Sequence, residues 1–225
     1  MEKNQTRVLS GKNAKLFGHK KEKEICQWLN ETLTDTFIVD AKPKTKQDII
    51  NLTDNTAYSI KSTKGTHTQC HLTSSERWCD YFKIDGKLKK WFYCFFGIPG
   101  IDISDGSNRQ HRLNKSQIDN SLNNLTLTWF NQNKISIFDV IVAEGMYNTP
   151  VQTLIWHQKK TDRKYIISIE DLRSMVYNGN WVLNSTTLHF YTEDDKKMFH
   201  LQMKGSGEKY TSSYHSLMFH IYKCF

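Results

Sequence analysis

The sequence has 225 residues, 38% of them hydrophobic and 12% aromatic. That suffices for one sizeable core, and no run approaches the roughly 20 apolar residues of a membrane helix. The formal net charge is +8, and residues 1–100 hold most of the excess, with 17 Lys/Arg against 11 Asp/Glu. The expected partner is therefore a polyanion, nucleic acid being the commonest, and no membrane.

The N-terminus is polar and lacks an apolar signal core, and the five cysteines are scattered without a CxxC pair. Both features point to a reducing, cytoplasmic setting.

In chain order, residues 12–33 read as a helix whose buried face carries Ile25, Trp28, Leu29 and Leu33. Gly18 weakens its middle, so its start is expected near His19. Short strands follow at 36–39, 47–51, 57–62 and 68–72. Thr73 and Glu76 have capping-box spacing and open a helix through Phe82. The aromatic run 89–96 reads as a strand, 98–114 as a loop and 114–131 as a helix. Strands are expected at 135–142 and 151–157, and Ser168 caps a helix to about Tyr177. Strands at 188–191, 199–203 and 216–222 complete the chain. The mixture predicts an α/β to α+β fold, a mixed sheet flanked by helices.

The most informative stretch is Lys46-Gln47-Asp48-Ile49-Ile50 followed by Ala57-Tyr58-Ser59-Ile60-Lys61-Ser62. Residues two apart on a strand share a face, so Ser59 and Lys61 point the same way. A hairpin brings Asp48 beside them. One carboxylate and one amine at neighbouring strand ends can hold a divalent cation and orient a water.

With Glu22 and Glu24 on the preceding helix, this order resembles the PD-(D/E)xK nuclease superfamily, seen in type II restriction endonucleases and Holliday-junction resolvases. The resemblance spans roughly residues 11–72. Two departures stand out: Gln47 replaces a frequent Pro, and Ser59 stands where a second carboxylate is usual. The family tolerates that loss when a helix glutamate supplies the charge. Glu22 is the first choice, three residues before Ile25, and Glu24 the reserve. Both also fit a solvated charge run.

The resemblance implies a restriction-endonuclease-like core and Mg²⁺ held by Asp48, Glu22 and the Ile60 carbonyl. It further implies Lys61 at the attacking water and products with a 5′-phosphate and a 3′-hydroxyl. The polar stretch after Lys61, with Lys64, Thr66 and Gln69, suits phosphate contacts. So do Lys204, Ser206 and Lys209.

A rival xxK strand, Gln202 to Lys204 with Asp194, Asp195 and Glu170 upstream, lacks the apolar strand after its acid. His67, Cys70, His71 and Cys79 have no standard zinc spacing. Trp78, Trp91, Phe92, Tyr93, Phe95 and Phe96 are expected to fill the core or a subunit interface.

The expectation is one nuclease domain over 1–225, with a catalytic core at 11–100 and DNA-recognition and dimerisation elements at 101–225. A homodimer would cut double-stranded DNA at a short palindromic site. Alternatives are a structure-specific resolvase or repair nuclease of the same superfamily, or a non-catalytic DNA-binding module.

Overall fold

A computed structural model describes residues 2–40, 42, 45–96, 120–184, 187–203 and 216–225. Helix α1 (Glu2–Thr32) precedes strands β1 (Phe37–Val39), β2 (Ile49–Asn51), β3 (Ala57–Thr63) and β4 (His67–Ser74). Helices α2 (Ser75–Tyr81), α3 (Gly86–Phe96), α4 (Asn120–Gln132) and α5 (Lys134–Phe138) follow, and α5 runs into a wide π-helical turn, Asp139–Ala143. Strands β5 (Thr153–Gln158) and β6 (Arg163–Ser168), helix α6 (Ile169–Asn178), and strands β7 (Asn180–Asn184), β8 (Thr187–Tyr191), β9 (Lys197–Met203) and β10 (Ser216–Tyr222) complete it. No described helix is long and apolar enough to cross a membrane.

The expected mixed sheet is present, in the order β1-β2-β3-β5-β6, and helices flank it. Its single parallel pair is β3 with β5, in the register Ser59↔Leu154 and Lys61↔Trp156. A second, antiparallel sheet has the order β4-β10-β9-β8-β7. The chain thus leaves the first sheet after β3 and enters the second through the turn at 64–66.

Two apolar clusters follow. A small one joins Ile25, Cys26 and Leu29 of α1 to Phe37, Ile49, Tyr58 and Ile155. The large one takes the opposite face of the sheet, through Ala57, Leu154 and Trp156, and packs it with the later helices and the inner face of the second sheet.

Several sequence expectations change. Helix α1 starts well before His19, and Leu33 is exposed rather than buried. The cap of α2 is Ser74, whose hydroxyl accepts from Arg77 N, one residue later than the spacing of Thr73 suggested. Residues 86–96 are helical because Leu88, Trp91 and Phe92 repeat at three and four; β-prone aromatics mask that period.

Residues 134–143 are helical too. Their nearly continuous apolar run is buried all round, a pattern that does not separate strand from helix. Strands β6 and β7 carried no clear alternation and were not anticipated. Gly179, before β7, is needed sterically: a Cβ there would stand 2.3 Å from the Tyr191 carbonyl oxygen.

The outer face of the second sheet carries a row of imidazoles. Ring centroids lie 4.6 Å apart for His189 and His200, 5.1 Å for His200 and His220, and 4.8 Å for His220 and His67. Burial, and then the charges of His189, His220, Lys197 and His67, push His200 down to about 4. The unfolded chain, near pH 6.5, therefore binds more protons than the native state between pH 6.5 and 4, and stability is lost as pH falls through that window. We expect a loss on the order of 2–3 kcal/mol from this group. Urea unfolding at pH 7 and pH 4.5 checks it, the His200→Gln protein showing a flatter dependence.

Candidate active site

The hydrogen bonds between β2 and β3 stop at Ile49↔Tyr58, where the strands begin to part. Asp48 sits at that point. Its N–H donates to Tyr58 O at 2.8 Å, and its Oδ2 accepts from Ile60 N at 2.6 Å and from the Ser59 hydroxyl at 3.3 Å. Lys61 Nζ donates to the same hydroxyl at 3.0 Å. Buried Ser59 thus stands between acid and amine and holds both. The Ile60 peptide turns away from β5 towards Asp48, because peptide groups alternate along a strand.

Alternation also gives Ser59 and Lys61 one face, shared with Ala57. Helix α1 covers the opposite face through Ile25 and Leu29 and carries Glu22, whose charge acts on Asp48. Burial pushes the Asp48 carboxyl above the usual carboxylate range. The Lys61 charge and the Ile60 N–H oppose that rise, while the charge of Glu22 adds to it. Glu22 Oε2 also bonds His19 Nδ1 at 2.9 Å.

Glu24 lies elsewhere on the helix: it pairs with Lys21 at 2.9 Å, and that hydrogen bond is the main reason its carboxyl is held below the usual range. Lys64 and Thr66 are exposed in the β3–β4 turn, and Gln69 is exposed on β4 opposite His220. Lys204, Ser206 and Lys209 lie outside the described residues. Of the rival strand, Asp194 and Asp195 sit in the turn before β9 and Gln202 near its far end, while Glu170 pairs with Arg173 on α6.

The donors suit a hard divalent cation. They are two carboxylates and a backbone carbonyl, all oxygen, which is the set Mg²⁺ takes together with retained waters. Both hydrogen bonds to Asp48 fall on Oδ2, so Oδ1 has none among the described residues. A cation would also relieve the repulsion between the charges of Glu22 and Asp48. Among the described residues no three His, Cys, Asp or Glu side chains form a metal cluster, so waters would complete any shell.

Two nearby groups escaped the sequence reading. Lys46 is half-buried, and its Nζ donates to Ile141 O at 2.7 Å. The wide turn sends the N–H groups of Glu144 and Gly145 back to Asp139 O, and Ile141 O takes the lysine. Burial lowers the Lys46 ammonium, with Lys61 contributing in the same direction. Its position two residues before Asp48 was the only signal.

His157, on β5, lies 3.2 Å from the Ser62 hydroxyl and 2.8 Å from Asp162, which also meets Lys21 of α1 at 3.8 Å. Parallel pairing assembles this group, and no sequence spacing announces it.

Helix α1 is fixed to the sheet by Asn30, which accepts from Phe37 N at 2.8 Å and donates to Phe37 O at 3.0 Å and Cys26 O at 3.1 Å. Asn30→Ala should cost about 1–2 kcal/mol, read as a lower urea midpoint. Because Glu22 rides on that helix, cleavage should fall as well.

No family model and no curated protein matches the sequence. Among solved structures the chain is similar to the restriction endonuclease MspI in complex with its cognate DNA, at 13% identity and a TM-score of 0.48, covering 89% of this chain and 77% of that one.

Proposed function

We propose that this chain is a Mg²⁺-dependent endonuclease of the PD-(D/E)xK type, acting on double-stranded DNA as a restriction enzyme. The observation that carries the reading is the meeting of Asp48, Ser59 and Lys61 at the open edge of β3, with the charge of Glu22 at hand. The excess of basic residues in the first 100 positions supports a polyanionic substrate.

In this reading Asp48, Glu22 and the Ile60 carbonyl hold Mg²⁺. Bound there, the ion makes a water more acidic and offsets charge on the scissile phosphate. Ser59 keeps the Lys61 ammonium at the edge, where it orients the attacking water and donates to a phosphate oxygen. The Ile60 N–H and Ser59 hydroxyl fix the Asp48 rotamer, so no reorganisation is needed at reaction.

Lys64, Thr66 and Gln69, with Lys204, Ser206 and Lys209, would follow the phosphate backbone. Two copies related by a two-fold axis would supply one site for each strand of a palindrome. The whole chain would form one nuclease domain, with residues 101–225 providing recognition and dimerisation elements.

Phage DNA incubated with the protein and Mg²⁺ should give discrete fragments, and chelation should stop the reaction. A smear of random lengths would contradict the restriction reading. Intact DNA in Mg²⁺ and in Mn²⁺ would contradict the nuclease reading altogether.

A further inference from the structure

Beside Lys46 lies a half-open cavity of about 570 Å³, within the roughly 300–1,000 Å³ of sites that take small molecules. Its wall draws on four places in the chain: the segment before Asp48, the end of β4, one side of α2, and the loop after the wide turn. That loop is pressed close. At Gly145, φ is +71°, and a Cβ would meet Lys46 Cγ at 2.9 Å.

The chemistry of the wall is unusual for a structural void. Arg77 and Tyr81 stand four residues apart on α2, hence on one side of it. Tyr81 and Tyr147 are 45% and 60% exposed, so both rings meet solvent where they line the cavity. Among the described residues Arg77 has no ion-pair partner. Thr73 adds a hydroxyl, and Asp80, which Lys89 meets at 3.8 Å, adds a carboxylate. The Lys46 amine is already engaged by Ile141 O, so an entering anion falls to Arg77.

We propose that this cavity is a nucleotide site, in which Tyr81 and Tyr147 take the base, Arg77 takes the phosphate, and Thr73 and Asp80 meet the edge of the base. Three features of the wall match a nucleotide's phosphate and the face and edge of its base. Tyrosine rings stack on any base. A guanidinium fork fits a phosphate better than an ammonium does. A hydroxyl and a carboxylate together can meet donors and acceptors on a base edge. A bare anion would leave the rings without a role, and an apolar ligand would strand Arg77.

Lys46 lines the cavity and stands two residues before Asp48, so the cavity adjoins the candidate active site along the chain. A nucleotide of a bound strand, swung out of its stack, could therefore occupy the cavity while a neighbouring phosphate sits at Asp48. This second step rests on the nuclease reading above; the nucleotide chemistry does not. A free nucleotide has the same groups, and the test separates the two sources.

The four deoxynucleoside monophosphates, inorganic phosphate and the four deoxynucleosides are titrated into the full-length protein and followed by ligand-observed saturation-transfer NMR. Monophosphates should bind better than either part alone. Tyr81→Ala and Arg77→Ala should each weaken binding by about tenfold or more. Tyr81→Phe should bind as the parent does, which guards against a folding defect, as does an unchanged circular dichroism spectrum.

Cleavage of phage DNA by the same variants gives the second arm. Weakened nucleotide binding together with slower cleavage assigns the cavity to a nucleotide of the strand. Weakened binding with unchanged cleavage assigns it to a free nucleotide. Cleavage at the parental rate by both alanine variants, with no monophosphate bound at millimolar concentration, overturns the nucleotide site and leaves the nuclease reading intact. Binding in a protein that cuts no DNA does the reverse.

Discussion

Asp48→Asn and Lys61→Ala should each reduce Mg²⁺-dependent cleavage by roughly 10²–10³-fold or more, the scale of losing one preorganised charge or donor at a reacting phosphate. Neither variant should unfold the protein. Asparagine keeps an oxygen for Ile60 N and Ser59, so the hydrogen bonds at 2.6 Å and 3.3 Å have a replacement acceptor. It also removes a buried charge that burial and Glu22 both penalise.

The Asp48→Asn protein should therefore melt at the parental temperature or above it, while losing activity. A structural role for the carboxylate predicts the opposite, a lower melting temperature. Glu22→Gln should behave like Asp48→Asn, and Glu24→Gln like the parent, because Glu24 is occupied with Lys21. Initial rates on phage DNA, set beside melting temperatures, decide among these. A Lys61→Ala protein that cuts at the parental rate would remove Lys61 from the chemistry.

The largest loss of stability should come from Trp181→Ala. Trp181 is 2% exposed. Its ring lies 5.1 Å from Phe130, 5.4 Å from Phe190, 6.2 Å from Phe199 and 6.3 Å from Phe219. It therefore joins α4 to three strands of the second sheet. Its backbone is held as well: Trp181 N donates to Asn131 Oδ1 at 2.7 Å, and Asn131 Nδ2 donates to Trp181 O at 3.3 Å.

Truncation to alanine leaves a cavity among rings that cannot close it, at a cost of about 3–5 kcal/mol. Trp181→Phe should cost much less. It keeps a stacking ring and removes an indole N–H that has no hydrogen bond among the described residues. Urea unfolding of the three proteins measures the difference. A loss under about 1 kcal/mol for the alanine variant would show that the aromatic layer repacks.

What was legible in the sequence was local. Alternation along 57–62 set Ser59 and Lys61 on one face, and the short connection from Asp48 through 53–55 brought the acid beside them. The helical period of Ile25 and Leu29 placed α1 against the same sheet. Function was inferred from these few residues by resemblance alone.

What was not legible depends on distant pairing. His157 reaches Ser62 across 95 positions of sequence, and Lys46 finds Ile141 across the same distance. The runs 89–96 and 135–142 read as strands because their β-prone side chains mask the helical period. A run buried on every side has no period to find. The second sheet is hidden for a related reason: β4 follows β3 closely in sequence, yet it pairs with β10, more than 140 residues on.

The parallel partnership of β3 and β5 also bears on synthesis of the protein. A ribosome that has released only the first hundred residues has delivered Asp48, Ser59 and Lys61, but not the strand that hydrogen-bonds to Ser59 and Lys61. Loop closure across so long an interval is slow. The nascent chain would thus carry the side chains of the edge without the strand that pairs along it until β5 has emerged. On the function proposed above, a translation product cut short before Thr153 should be inert towards DNA.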